Sequence, residues 1–285
     1  MSERIALITD STCDIPLEWR EKYQIAVIPL TIVWGSEQYL DGVELKAEDF
    51  YTRLLVDPVH PTTSQPASGA FALALQDAAQ QGAEQAIIFT ISSGMSGTIG
   101  AARQAAEESP IPVQIVDSKS NSMGLGWQVI AAACAREQEG GMAEMLQSAE
   151  QARKSMAYYI SLDTLDYINQ GGRIGDAAKL LGSVLRIKPL IYVNHETGTV
   201  GASMPARSRS SAIEGLYKEF FKHVDPSKVL HITVLHNAAL EEATALADRV
   251  AREFHPQDLF ISIVSPVLGV HTGPRALALC GYSED

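Results

Sequence analysis

The stretch Ala86-Ile87-Ile88-Phe89-Thr90-Ile91-Ser92-Ser93-Gly94-Met95-Ser96-Gly97-Thr98 decides how this chain is read. An apolar run of strand length enters a Gly/Ser turn, and a helix-like segment, Ile99 to Glu108, follows at once. The first N–H groups of a helix have no partner inside it, and the helix dipole adds partial positive charge there. A strand, a turn and a helix start in that order therefore make a site for an anion. The turn carries four hydroxyls (Ser92, Ser93, Ser96, Thr98) and no Lys or Arg. It suits a small anionic or polar head held by neutral donors rather than a polyphosphate held by cations. A plain N-cap needs one hydroxyl only, while Gly94 and Gly97 suit a close backbone approach.

The alternation extends outward. Arg4 to Thr9 reads as a buried strand that ends at Asp10-Ser11-Thr12. Ile25 to Val33 reads as a second strand with Pro29 inside it, which predicts an edge or a bulge. Ala47 to Leu55 and Ser68 to Gln81 have helical apolar spacing, with the loop Pro58 to Pro66 between them. Val113 to Val116 is a strand and Gly124 to Glu139 an Ala-rich helix. Strands alternating with helices predict a mostly parallel sheet with helices on both faces. Ligands gather at the carboxyl ends of such strands. The turns Asp10-Ser11-Thr12, Ser92 to Thr98 and Asp117-Ser118-Lys119-Ser120 all follow strands, so they crowd one edge.

Past the helix Met142 to Ser155 the pattern changes. Tyr158 to Leu162, Val229 to Leu235 and Leu259 to Val264 read as strands, Lys188 to Met204 as a hairpin, and Ser210 to His223 and Ala239 to Phe254 as helices. The expected fold class is α/β with two α/β domains. Residues 1–157 form the N-terminal one on a mostly parallel sheet, and residues 158–285 the C-terminal one on a mixed α/β sheet.

Composition narrows the function. With 285 residues, 46% hydrophobic and 20% charged, the chain is long enough and apolar enough for a sizeable core. A formal net charge of −12 argues against nucleic acid as a general partner. Cys13, Cys134 and Cys280 have no zinc or disulfide spacing, which fits a reduced, cytoplasmic setting. No stretch approaches the roughly 18 apolar residues of a membrane span, and the first residues form no secretory signal. An integral membrane segment is therefore not expected.

Further residues carry weaker signals. Thr62-Thr63-Ser64-Gln65-Pro66 offers neutral donors, although it also reads as an ordinary turn with Gln65 solvated. His271-Thr272-Gly273-Pro274 is a turn whose histidine is either structural or a ligand contact. Gly171-Gly172-Arg173-Ile174-Gly175 sets one Arg in a flexible loop, either as a solvated helix end or facing a phosphate or a partner. Asp10 and Asp14 fit turn caps better than metal ligands, and the histidines form no metal pair. Lys119 has no Gly-x-x-x-x-Gly-Lys context, and Gly124-Leu125-Gly126 lacks the third glycine of a dinucleotide fingerprint.

Taken together, Thr9-Asp10-Ser11-Thr12, Thr63-Ser64-Gln65-Pro66, Ser92 to Thr98, Val116-Asp117-Ser118, Gly171-Gly172-Arg173-Ile174 and His271-Thr272-Gly273-Pro274 resemble the DegV family, in the family's order and over nearly the whole chain. The resemblance implies two α/β domains with a long-chain fatty acid, such as palmitate, in a tunnel between them, and no cofactor. It implies a non-catalytic subunit of a bacterial fatty acid kinase. A separate subunit similar to dihydroxyacetone kinases brings ATP and phosphorylates the bound carboxylate. Carried over, Thr63 and Ser93 look like the carboxylate-binding pair, with Ser64, Ser92, Ser96 and His271 nearby. Arg173 looks like the residue that assists phosphoryl transfer in the complex.

The chain departs from the family's pattern at Arg275, where a Gly is common, and at Cys13, where a small Ala is common. Its 203–209 segment is also less basic than usual, which bears on docking of the kinase. Two other classes compete with the carrier reading. A stand-alone acyl or lipid hydrolase would use Ser93 or Ser96 with His271, but the Gly-x-Ser-x-Gly elbow is missing. A nucleotide-binding regulator would need a phosphate motif that the chain lacks.

Overall fold

The computed structural model describes residues 4–181 and 187–284. The chain starts with β1 (Ile5–Asp10), α1 (Leu17–Lys22) and β2 (Ile25–Ile28). It then detours through β3 (Thr31–Trp34), β4 (Glu37–Leu40), α2 (Ala47–Leu54) and β5 (Thr62–Ser64). After α3 (Ser68–Gln80) it returns in β6 (Gln85–Thr90), α4 (Thr98–Glu107) and β7 (Val113–Asp117). Strands β2-β1-β6-β7 form one all-parallel sheet, and β4-β3-β5 a small antiparallel one. Side-chain alternation sends Ile8 and Ile88 to α3 and α4, while Leu7, Ile87 and Phe89 face α5 (Met123–Glu137) on the other side.

Helix α6 (Met142–Lys154) packs on α5 and leads into β8 (Met156–Ser161), α7 (Asp166–Gln170), β9 (Leu190–Asn194) and β10 (Thr199–Ala202). Then come α8 (Arg209–Phe221), β11 (Val229–His236), α9 (Leu240–Phe254), β12 (Asp258–Ile263), α10 (Pro266–Thr272) and β13 (Leu277–Glu284). The second sheet has the order β10-β9-β8-β13-β11-β12 and is mixed, with β11 and β12 parallel. One face (Ile232, Val234, Leu277, Leu279) packs under α8 and α9. The other (Tyr158, Ile160, Ile191, Val193, Leu235, Ala278) turns toward the first half of the chain.

Three segments depart from the expectation. Ile25 to Val33 is two strands in two sheets, because Pro29 has no N–H for the ladder and the chain turns there. Thr62–Ser64 is a strand rather than loop, paired with β3. The C-terminus is more than a turn: α10 and β13 complete the second sheet, with β13 between β8 and β11.

Helix α10 is fixed from the first half of the chain. The Ser265 N–H donates to Asp14 Oδ1 at 3.0 Å and the Val267 N–H to Asp41 Oδ1 at 3.1 Å. These are first-turn donors with no partner inside the helix. Ser122 and Ser11 hydroxyls donate to the second oxygens of the two carboxylates. Tyr51 donates to the Val264 carbonyl at 3.0 Å, and Phe50 and Tyr51 pack against Gly269, where a Cβ would come within 2.6 Å of the Phe50 ring. Burial pushes Asp10 and Asp14 up to about 6 and Asp41 to about 7, against the hydrogen bonds that pull them down.

A carboxyl with a raised folded-state pKa holds its proton in the folded chain where the unfolded chain has lost it. Its contribution therefore falls as pH rises from about 4 to about 7. Asp41→Asn keeps an acceptor for Val267 and removes the titration. In paired thermal melts, the variant should gain on the native chain between pH 5 and 8 by on the order of 3 kcal/mol. The paired difference cancels the opposite trend of the buried histidines. A flat or falling difference would refute the buried-charge account.

Candidate functional site

The loops at the carboxyl edge of the parallel sheet converge. Asp10 accepts from Thr12 and, at 2.7 Å, from the Ile91 N–H, and Ser92 N–H donates to the Ser120 carbonyl. The turn from Ser92 to Thr98 is thus tied to both neighbouring strand ends. Opposite it lies the inward face of the second sheet, and between them is a cavity of about 390 Å³. Apolar residues line most of it, including Ile91, Tyr158, Ile160, Ile191, Val193, Leu235 and Ala278, with Val264, Val267 and Leu268 from the α10 side. Ala278 sits between Ile160 and Leu235 in the strand register, and its small side chain leaves the floor open.

The polar groups of the wall include Thr63, Ser64, Gln65, Ser96, Arg173 and His271. Thr63 is on β5, and its Oγ1 lies 2.9 Å from His271 Nε2 on the last turn of α10. Desolvation and the charges of Arg173 and His60 pull His271 down to about 4, so the ring is neutral at pH 7. Its Nδ1 is buried without a partner among the described residues. The ring fits only because residue 171 is glycine, since a Cβ there would lie 2.0 Å from Nδ1. Arg173 donates from Nε to the Met95 carbonyl at 3.1 Å and from Nη1 to the Gly171 carbonyl at 2.7 Å.

The four hydroxyls of the turn have different jobs. Ser96 faces the cavity, its Oγ 2.9 Å from Thr98 Oγ1. Ser92 is fully buried and donates to the Gly198 carbonyl, joining the turn to the β9–β10 hairpin. Ser93, expected as the principal head-group ligand, lies outside the cavity wall. Its N–H and hydroxyl both donate to Asp117, which also pairs with Lys119 at 2.9 Å. Of the three serines, Ser96 lines the cavity and Ser92 and Ser93 do not.

Gln65 is exposed, as the turn reading has it, and also lines the cavity, reaching across Gly97, where a Cβ would be 2.1 Å from its Oε1. Asn121 and Asn237 are further wall residues that the sequence reading missed. The hydrolase arrangement does not assemble among the described residues. Ser93 pairs with Asp117, Ser96 with Thr98 and His271 with Thr63, so neither serine is bonded to the histidine. No group of three or more His, Cys, Asp or Glu placed to hold a metal occurs among the described residues. No helix among them is long and apolar enough to cross a membrane.

The family model described as "Uncharacterised protein, DegV family" matches residues 4–284. A DegV domain-containing protein of Streptomyces coelicolor is 37% identical over 282 residues, covering 98% of both chains. One from Clostridium acetobutylicum is 34% identical, covering 99% of this chain and all of its own. A Thermus thermophilus DegV family protein, whose structure was described for its fatty acid binding, superposes with a TM-score of 0.92 at 30% identity, covering 99% of this chain and 100% of its own. DegV of Bacillus subtilis, a fatty acid binding protein, superposes at 0.90 with 28% identity and the same coverage. A family model over nearly the whole chain, relatives above 30% identity and a shared fold agree: the chain belongs to the DegV family.

Proposed function

We propose that this protein carries a long-chain fatty acid, palmitate or a neighbour in length, and presents its carboxylate to a separate ATP-dependent kinase subunit. The observation that carries the reading is an apolar cavity of about 390 Å³ with Thr63, Ser96, His271 and Arg173 in its wall. The Thermus and Bacillus relatives that bind fatty acids share this fold across the whole chain. Residues 1–157 and 158–285 act as the two α/β units that enclose the lipid, in the cytoplasm.

The acyl chain supplies the affinity. At about 0.8 kcal/mol per buried methylene, some 14 methylenes contribute roughly 11 kcal/mol before the costs of binding. The head contacts then set orientation. Thr63, Ser96 and neutral His271, with Ser64 and Gln65 beside them, hold the carboxylate through single hydrogen bonds, which leave it more nucleophilic than a bidentate Arg pair would. Arg173, held by two backbone carbonyls, is placed to face phosphate arriving from the kinase. The protein itself performs no chemistry in this scheme; the kinase supplies ATP and a Mg-dependent transfer.

Native mass spectrometry of the purified chain should find a fatty acid of one or two lengths. Thr63→Ala combined with Ser96→Ala should lower its occupancy, and Ser93→Ala should not. Loss of lipid on Ser93→Ala alone would return the head-group role to Ser93. Ala278→Phe fills the floor between Ile160 and Leu235 and should shift the bound acids to shorter chains; an unchanged lipid profile would place the tail elsewhere. With the kinase reconstituted, Arg173→Ala should keep the lipid mass but cut acyl-phosphate formation about a hundredfold. If the lipid disappears as well, Arg173 is a binding residue and the transfer role fails.

A further inference from the structure

We propose that Asn237 makes this cavity selective for fatty acids bearing a hydroxyl close to the carboxylate, an inference that rests on the fatty-acid reading above. Asn237 ends β11 next to the cavity, is 1% exposed and belongs to the wall. Its Nδ2 donates at 2.7 Å to Thr272 Oγ1 and at 2.7 Å to the Gly273 carbonyl, which closes the end of α10. A carbonyl only accepts, so these contacts fix which end of the amide is nitrogen. The backbone is spent too: its N–H donates to Ala276 and its carbonyl accepts from Arg275. The residue is held rigidly, and its Oδ1 is buried with no donor among the described residues.

The cap uses only the nitrogen half of the side chain; the oxygen half is left for a ligand. Nearby wall residues Leu235, Val264, Leu268 and Ala276 have no side-chain donor to offer. A buried acceptor without a donor is costly, and a ligand O–H removes that cost where a methylene cannot. The position along the chain follows from Thr272, the residue after His271, whose ring bonds Thr63 at the head of the site. A hydroxyl on carbon 2 or 3 lies in that zone; one in mid-chain does not. The Asn121 amide oxygen is also without a donor, but its Nδ2 meets the Met95 sulfur, which does not fix the amide in the same way.

The test is competition for the lipid-stripped full chain, read by native mass spectrometry. The competitors are hexadecanoic acid and its 2-, 3- and 12-hydroxy forms. The 2- or 3-hydroxy acid should bind about five- to tenfold tighter than the plain acid, the 12-hydroxy acid no tighter. In Asn237→Ala the ratio should fall to about one. The proposal is overturned if the native chain shows no preference, prefers the 12-hydroxy acid, or if Asn237→Ala keeps the same ratio. The native-chain ratios decide this even if the variant does not fold. Binding of plain acid without preference overturns this inference and leaves the carrier reading standing; failure of all four acids to bind overturns both.

Discussion

The structure depends on two carboxylates placed at the start of one short helix. Asp14 and Asp41 come from separate loops of the first half, yet both accept backbone N–H groups from the first turn of α10. Burying carboxylates costs free energy, as their raised pKa values record. The first-turn donors and the positive end of the helix offset part of it. The result is a directional joint between the halves, which apolar packing alone does not give. Because α10 supplies Val267, Leu268 and His271 to the cavity wall, the joint also sets where the cavity runs and where its head lies.

The cavity is what this joint leaves between two surfaces that do not fill each other. Alternation on β8, β9, β11 and β13 gives the second sheet two apolar faces, and α8 and α9 cover only one of them. The other packs on Trp127 of α5 near Phe260 and Tyr282, but over the cavity it meets loops at a sheet edge, which bring hydroxyls and backbone. Ala276, just before β13, and Ala278 on it keep the floor low where larger residues would reach the loops. An ordinary interface between two layers thereby keeps an apolar trough.

The sequence made the parallel half legible because its strands and helices obey clean periods and its turns carry the right residues. It concealed α10 and β13 because Pro266–Thr272 is short and its cap partners, Asp14 and Asp41, are more than 200 residues away. The strand Leu277–Glu284 carries Ala, Cys and Gly where β-branched residues would have announced it. Gly281 is there because His231 and Ile232 backbone presses against it, a tertiary reason invisible locally. The sequence marks the turn from Ser92 to Thr98 but not which of its hydroxyls lines the cavity. Asp117, 24 residues on, draws Ser93 away and leaves Ser96 facing the cavity. Four chemically equivalent hydroxyls cannot be sorted without that long-range partner.

One polar end of the cavity wall is a continuous chain of contacts. Thr63 holds the His271 ring, the ring lies against Gly171, the Gly171 carbonyl holds Arg173, and Arg173 reaches back to the Met95 carbonyl in the Ser92 turn. One glycine therefore serves two ends: its missing side chain admits the histidine and its carbonyl anchors the arginine. This arrangement keeps two kinds of group apart: the neutral hydroxyls and imidazole of Thr63, Ser96 and His271, and the Arg173 cation. In the function proposed above, the first would meet the carboxylate and leave it nucleophilic. The cation, anchored by backbone oxygens that carry no full charge, would stay available to a phosphate. On that reading, an arginine paired with the ligand itself would bind a fatty acid more firmly and make it a poorer nucleophile. Holding Arg173 on carbonyls, apart from the hydroxyls, would avoid that conflict within one short stretch of the wall.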